Sequence, residues 1–192
     1  MKGKNKHMIL GLGVLVVSIT GLIILTTAPF LSDYENSGNY ARIWFNGRWK
    51  TKFTVWNSII INTGTADDFS NFPGTVPILT LIGIITIILG SLYWALLGFA
   101  GKDCVLTNRK VPGPISGFSF LLGGIVGFVG TMLFIPFANE RIENSAFDYS
   151  YAFGFIVSVV VFSLFLLLGG YLAYLTISNK DKKRRSRRRR KR

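Results

Sequence analysis

Residues 41–61 read ARIWFNGRWKTKFTVWNSIII, the one long stretch of the chain that is neither an apolar run nor a basic end. Trp44, Phe45, Trp49, Phe53 and Trp56 crowd it, and aromatic and β-branched residues suit a pleated, half-buried surface. Asn46-Gly47 is a two-residue turn signal of the type I′ kind, in which both central residues take φ > 0. The expectation is a β-hairpin over residues 41–56. By alternation Arg48, Lys50 and Lys52 share one face, opposite Trp49, and Arg42 adds a fourth base. These bases read either as a solvent face above an aromatic one, or as a cationic ledge that recognises an anionic partner or acts on passing ions.

Around this stretch the composition is that of a membrane protein. Of 192 residues 49% are hydrophobic, 16 are Phe and only 16% are charged. Residues 8–32, 70–101, 111–139 and 149–179 carry no Asp, Glu, Lys or Arg. A bilayer core of roughly 30 Å needs about 20 apolar helical residues, which each stretch supplies. The expected spans are 8–30, 76–99, 115–137 and 150–177. Between them lie an N-terminal segment (1–7), a long first loop (31–75), a short connection (100–114), a second loop (138–149) and a tail (178–192). The fold class is thus a membrane all-α four-helix bundle with a small extracellular antiparallel hairpin or sheet. The start reads as an uncleaved anchor, because its apolar run exceeds the usual signal-peptide core.

Charge sets the expected orientation. The tail carries eleven bases against one acid, the N-terminal segment three bases, and the 100–114 connection three against one. The first loop balances four bases with four acids, and the second has one base against three acids. The net +13 is therefore an asymmetry across a membrane, with both termini cytoplasmic and the 41–61 stretch outside. The plasma membrane is the expected site, the endoplasmic reticulum the alternative.

Catalytic and metal chemistry find no foothold. One His (His7), one Cys (Cys104) and the adjacent acids Asp67-Asp68 make neither a ligand cluster nor a nucleophile with a base, so no enzyme, metal or cofactor is expected. The spans lack the ionisable residues that mark ion or proton paths. Cys104 reads as an unmodified thiol, or else as a juxtamembrane acylation site. Ser119, Gly123, Gly127 and Thr131 recur every four residues along span three, a small-residue face that lets another helix approach closely, within the bundle or from a second copy. In the tail, Lys182, Lys183, Arg184, Arg185, Arg187, Arg188, Arg189 and Arg190 form a like-charged block expected to be disordered and to bind anionic lipid. No nucleic-acid partner is expected, for want of a fold to support one.

The topology, with Gly47-Arg48-Trp49 and Val55-Trp56-Asn57-Ser58-Ile59-Ile60, resembles the claudin and peripheral-myelin-protein superfamily. The first motif is similar to the claudin Gly-Leu-Trp, and the second to the Val-Tyr-Asp-Ser-Leu-Leu after the second claudin loop cysteine. The chain departs in lacking both loop cysteines and in a shorter spacing from Trp49 to Val55. The resemblance implies an antiparallel four-helix bundle topped by a small sheet, and a non-catalytic role. That role is lateral or cell-to-cell self-association, or service as an accessory subunit of another membrane protein. It further implies that Trp44, Trp49 and Trp56 shape the sheet and that Arg48, Lys50 and Lys52 form its recognition or charge-selecting face. The alternative is a channel or transporter component whose bundle conducts.

Overall fold

The computed structural model describes residues 2–34, 39–55, 58–69, 71–100, 114–144 and 147–190. In chain order the elements are α1 (Lys2–Thr27), β1 (Leu31–Tyr34), β2 (Tyr40–Ile43), β3 (Trp49–Val55) and β4 (Ser58–Gly64), then α2 (Thr75–Ala100), α3 (Pro114–Met132), α4 (Phe134–Asn144), β5 (Ser150–Tyr151) and α5 (Phe153–Arg190). Among the described residues four helical stretches are long and apolar enough to cross a membrane: Met8–Thr27, Thr75–Leu97, Ile115–Asn144 and Phe153–Ser178.

Small residues set how closely these helices pack. α2 lies between α1 and α3, and α3 between α2 and α5. A Cβ placed on Gly83 of α2 would come within 2.5 Å of the Gly127 Cα on α3, so the two backbones touch where neither residue has a side chain. In lipid there is no hydrophobic drive between helices, and such close approach supplies the attraction as dispersion. Buried hydroxyls turn inward on their own helices, as Thr80 and Thr131 do by donating to the carbonyls of Val76 and Gly127.

α3 stops at Met132 because of Pro136. A proline has no N–H for the carbonyl four residues back, here that of Met132, and its ring crowds that carbonyl. The chain turns at Leu133 and restarts as α4, which carries helix on to Asn144. Much of the 138–149 stretch expected as loop is therefore helical, and α4 buries Phe134, Phe137 and Ala138.

The single expected hairpin is part of a five-stranded antiparallel sheet in the order β4-β3-β2-β1-β5. β1 and β5 were missed because they have only four and two residues, too few to show alternation. The turn also differs from the type I′ expectation. Trp44 N–H donates to the Arg48 carbonyl and Gly47 N–H to that of Trp44, which leaves three residues in the loop, not two. Gly47 takes φ 76°, as glycine does in a three-residue loop closed by a bulge.

Sheet and helices are joined at the end of α1, where carbonyls lack helical partners. The Thr27 carbonyl accepts from the Trp44 indole (3.0 Å), that of Pro29 from Gly154 N–H (3.0 Å) and that of Phe30 from Ala152 N–H (2.8 Å). Beneath the sheet Phe30 is fully buried, its ring 5.1 Å from Phe134, 5.8 Å from Phe155 and 5.9 Å from Phe45. The Phe134 and Phe155 pairs are edge-on, a geometry that contributes about 0.5–1.5 kcal/mol each beyond burial.

One further expectation is corrected. The tail, read as disordered, continues α5 as helix to Arg190. Lys and Arg are good helix formers, no Gly or Pro interrupts residues 178–190, and positive charge suits a helix C-terminus. Cys104 and Trp56 lie outside the described residues, as does most of the 100–114 connection.

Candidate interaction surface

The strand register sorts the residues of the sheet between two faces. Across β1, β2, β3 and β4 one row reads Leu31, Ile43, Trp49, Gly64 and the row two residues further from the helices reads Asp33, Ala41, Thr51, Asn62. Leu31, Ile43, Ala41 and Thr51 are buried, so this is the face laid over the bundle. Successive side chains point to opposite faces. The face away from the helices therefore carries the rows Ser32, Arg42, Lys50, Thr63 and Tyr40, Lys52, Ile61.

Arg42, Lys50 and Lys52 are thus neighbours on one pleat, with Arg42 directly opposite Lys50. The Arg42 guanidinium lies 4.4 Å from the centre of the Tyr40 ring. Neither described row on this face carries an acidic residue. Arg48 is exposed in the loop at the helix-proximal end, so Arg48, Lys50 and Lys52 climb away from the bundle in sequence. The alternation of the sequence carries Arg48, Lys50 and Lys52 on one side. What it could not supply was the register that brings in Arg42 and Tyr40 from the next strand.

The tryptophans named with these bases have internal partners. The Trp44 indole is spent on Thr27, and Trp49 Nε1–H donates to Asp68 Oδ2 at 2.9 Å. The same oxygen accepts Thr65 N–H at 2.8 Å, and a Cβ on Gly64 would overlap this junction. The hydrogen bond from Trp49, and after it that from Thr65, holds the Asp68 carboxyl below its usual pKa. Asp68 is thus a structural acceptor that ties β3 to the short turn Ala66–Asp68. Among the described residues there is no group of three or more His, Cys, Asp or Glu able to hold a metal ion.

β4 forms one edge of the sheet, and every residue from Ser58 to Thr63 is exposed. Ile59, Ile60 and Ile61 are 61%, 46% and 53% exposed. The strand carries no charge and no proline, the usual devices that blunt a sheet edge. α4 meets the 69–72 segment and β5 through polar and aromatic contacts. Glu140 accepts from Asn71 (3.1 and 3.2 Å), Tyr151 donates to Asn139 (2.9 Å) and the Arg141 guanidinium lies 4.7 Å from the Phe69 ring centre. Burial pushes the Tyr149 phenol up to about 12, against the pull of the Arg141 charge.

The small-residue face of span three lies inside the bundle. Ser119 meets Gly90, Gly123 meets Gly83 and Ile87, Gly127 meets Gly83 and the Phe162 ring, and Thr131 is fully buried. Lys182, Lys183, Arg184, Arg185 and Arg187 to Arg190 lie on the continuation of α5 beyond Ser178.

Four long apolar helices beneath a small antiparallel sheet meet a family match over residues 6–173, to the model described as PMP-22/EMP/MP20/Claudin family. The chain belongs to that family. No curated protein matches the chain. As a claudin-family member it is an integral, multi-pass membrane protein with the tetraspan fold that the loop motifs implied. This claudin-family chain has a single cysteine, Cys104, and the Trp49–Asp68 hydrogen bond ties β3 to the turn after β4 without covalent help.

Proposed function

We propose that this claudin-family protein is a non-catalytic membrane component that acts through its sheet. It associates with further copies, laterally or between cells, or attaches to another membrane protein as an accessory subunit. The observation that carries this reading is the cluster of Arg42, Lys50 and Lys52 on one pleat, next to an exposed edge strand, at one end of a packed bundle. Exposed Asp67, Glu143 and Asp148 at the same end offer charges of opposite sign, which supports contact between copies. The core between the helices is filled by Trp94, Phe120, Phe162 and Phe165, which supports a scaffold in preference to a conducting bundle. The distribution of bases supports cytoplasmic termini and a sheet on the outer side, at a plasma membrane or cell junction. The helical tail then faces the anionic cytoplasmic leaflet.

Co-purification from mild detergent, with mass-spectrometric identification of what stays bound, tests this proposal. Wild type is compared with a Lys50→Ser/Lys52→Ser variant whose thermal unfolding matches it. A second copy or a specific membrane protein held by wild type and lost in the variant is expected. A lone monomer in both samples overturns the reading.

A further inference from the structure

α2 and α3 run antiparallel in strict register. Would-be side-chain contacts pair Gly130 with Thr80, Gly127 with Gly83, Gly123 with Ile87, and Gly90 with Ser119 and Phe120. Each helical step along one is matched by an equal step back along the other. Continued by one more step, the same register sets Trp94 of α2 level with Ser116 of α3, at the end of the bundle away from the sheet.

Both are enclosed, Trp94 at 6% and Ser116 at 0% exposure, and the indole leans on Phe120 with ring centres 6.1 Å apart. Neither Trp94 Nε1 nor Ser116 Oγ has a hydrogen-bond partner in the protein. The other fully or nearly buried hydroxyls of the helices have solved this problem locally. Ser18, Thr80, Ser91, Thr131 and Ser158 each donate to the carbonyl four residues earlier. Ser116 cannot do so within its helix, because it is only the third residue of α3. For the same reason the first N–H groups of α3 have no acceptor inside the helix, and the positive end of the helix dipole lies here.

An indole nitrogen can only donate, and a serine hydroxyl donates or accepts. What satisfies Trp94, Ser116 and the first turn of α3 together is an oxygen. We propose that the α2–α3 seam at this end is a binding site for one oxygen acceptor held by Trp94 Nε1–H and Ser116 Oγ. The depth defines two sources with that chemistry. Trp94 lies one turn before Leu97 and Ser116 directly after Ile115, so the pair stands near the end of the apolar part of the seam among the described residues. Water reaches this level, and so do the phosphate and ester-carbonyl oxygens of a phospholipid. A bridging water makes about three such bonds in buried polar sites, and a lipid oxygen accepts two.

The test uses the full chain with 15N-labelled indoles in phosphatidylcholine nanodiscs carrying 13C at the ester carbonyls, the Trp94 signal being assigned with Trp94→Phe. The expected result is magnetisation transfer from the Trp94 indole proton to water, or to lipid 31P or 13C, the nucleus identifying the source. Ser116→Ala should loosen the occupant and weaken that transfer about fivefold, the worth of one hydrogen bond. Unchanged Trp44 and Trp49 signals in that variant show that the fold is intact. No transfer to any of the three nuclei overturns the proposal. If the Trp94 shift then still moves in Ser116→Ala, the two residues bond directly and no site exists.

Discussion

Trp49 donates its indole N–H to Asp68 across 2.9 Å, and that bond pins β3, the strand next to the edge of the sheet, to the turn that leads into α2. Asp68 must be ionised to serve best as acceptor, since a carboxylate takes both the Trp49 and Thr65 donors while a protonated acid gives up part of that capacity. Its folded pKa is lowered, so the stabilisation is present above the unfolded value of about 3.9 and is lost as pH falls through the lower folded value. The Trp49 indole resonance should stay constant from pH 7 to 5 and shift only below about pH 4. In Asp68→Asn the acid step should vanish; an unchanged step there would assign it to another group.

Gly127 leaves no room for a side chain, because the Phe162 ring of α5 lies against it and Gly83 of α2 beside it. Gly127→Leu should destabilise the bundle by about 1–3 kcal/mol, the usual cost of overpacking, in a denaturant titration in detergent. Gly13→Ala and Gly170→Ala, where nothing lies within 4 Å, should change stability little. Equal effects at all three positions would contradict the placement of Gly127 inside the monomer.

Trp44→Phe keeps an aromatic side chain, though a smaller one, and deletes the donor to the Thr27 carbonyl. The loss should be about 0.5–1.5 kcal/mol, the net value of one hydrogen bond, read as a lower unfolding midpoint. A larger loss would mean that the ring itself anchors the sheet.

Arg42 and Lys50 face each other directly across β2 and β3, and like charges so placed destabilise a ladder by roughly 0.2–1 kcal/mol. Lys50→Thr should therefore stabilise the isolated protein while weakening capture of any anionic partner. A variant that is both less stable and fully binding-competent would sink the recognition role of this pleat.

Much of the fold was legible in the sequence because it rests on long-period signals. Four charge-free runs give four helices, and a glycine turn between aromatic strands gives the sheet's centre. What was missed is short or depends on partners. β5 has two residues and exists because Leu31 and Ser32 of β1 offer an edge. The break before α4 was carried by a single proline, read past because the apolar run continues through it. The cationic pleat was half visible: Lys50 and Lys52 follow from alternation, but Arg42 joins them only through strand register. Trp94 and Ser116 lie 22 positions apart, and no local pattern announces that both lack a partner.

The unbroken course of α5 to Arg190 gives its bases a distance as well as a sign. At about 1.5 Å per residue, a straight helix leaving the bilayer at Ser178 carries Arg187 roughly 14 Å and Arg190 roughly 18 Å beyond it. Screening at physiological salt cuts electrostatic reach to about 8 Å. On the orientation proposed above, Lys182 and Lys183 fall within that reach of the leaflet, while the last arginines lie beyond it. Under that proposal the tail divides its charge between two phases, its base assigned to the membrane and its tip to the aqueous side.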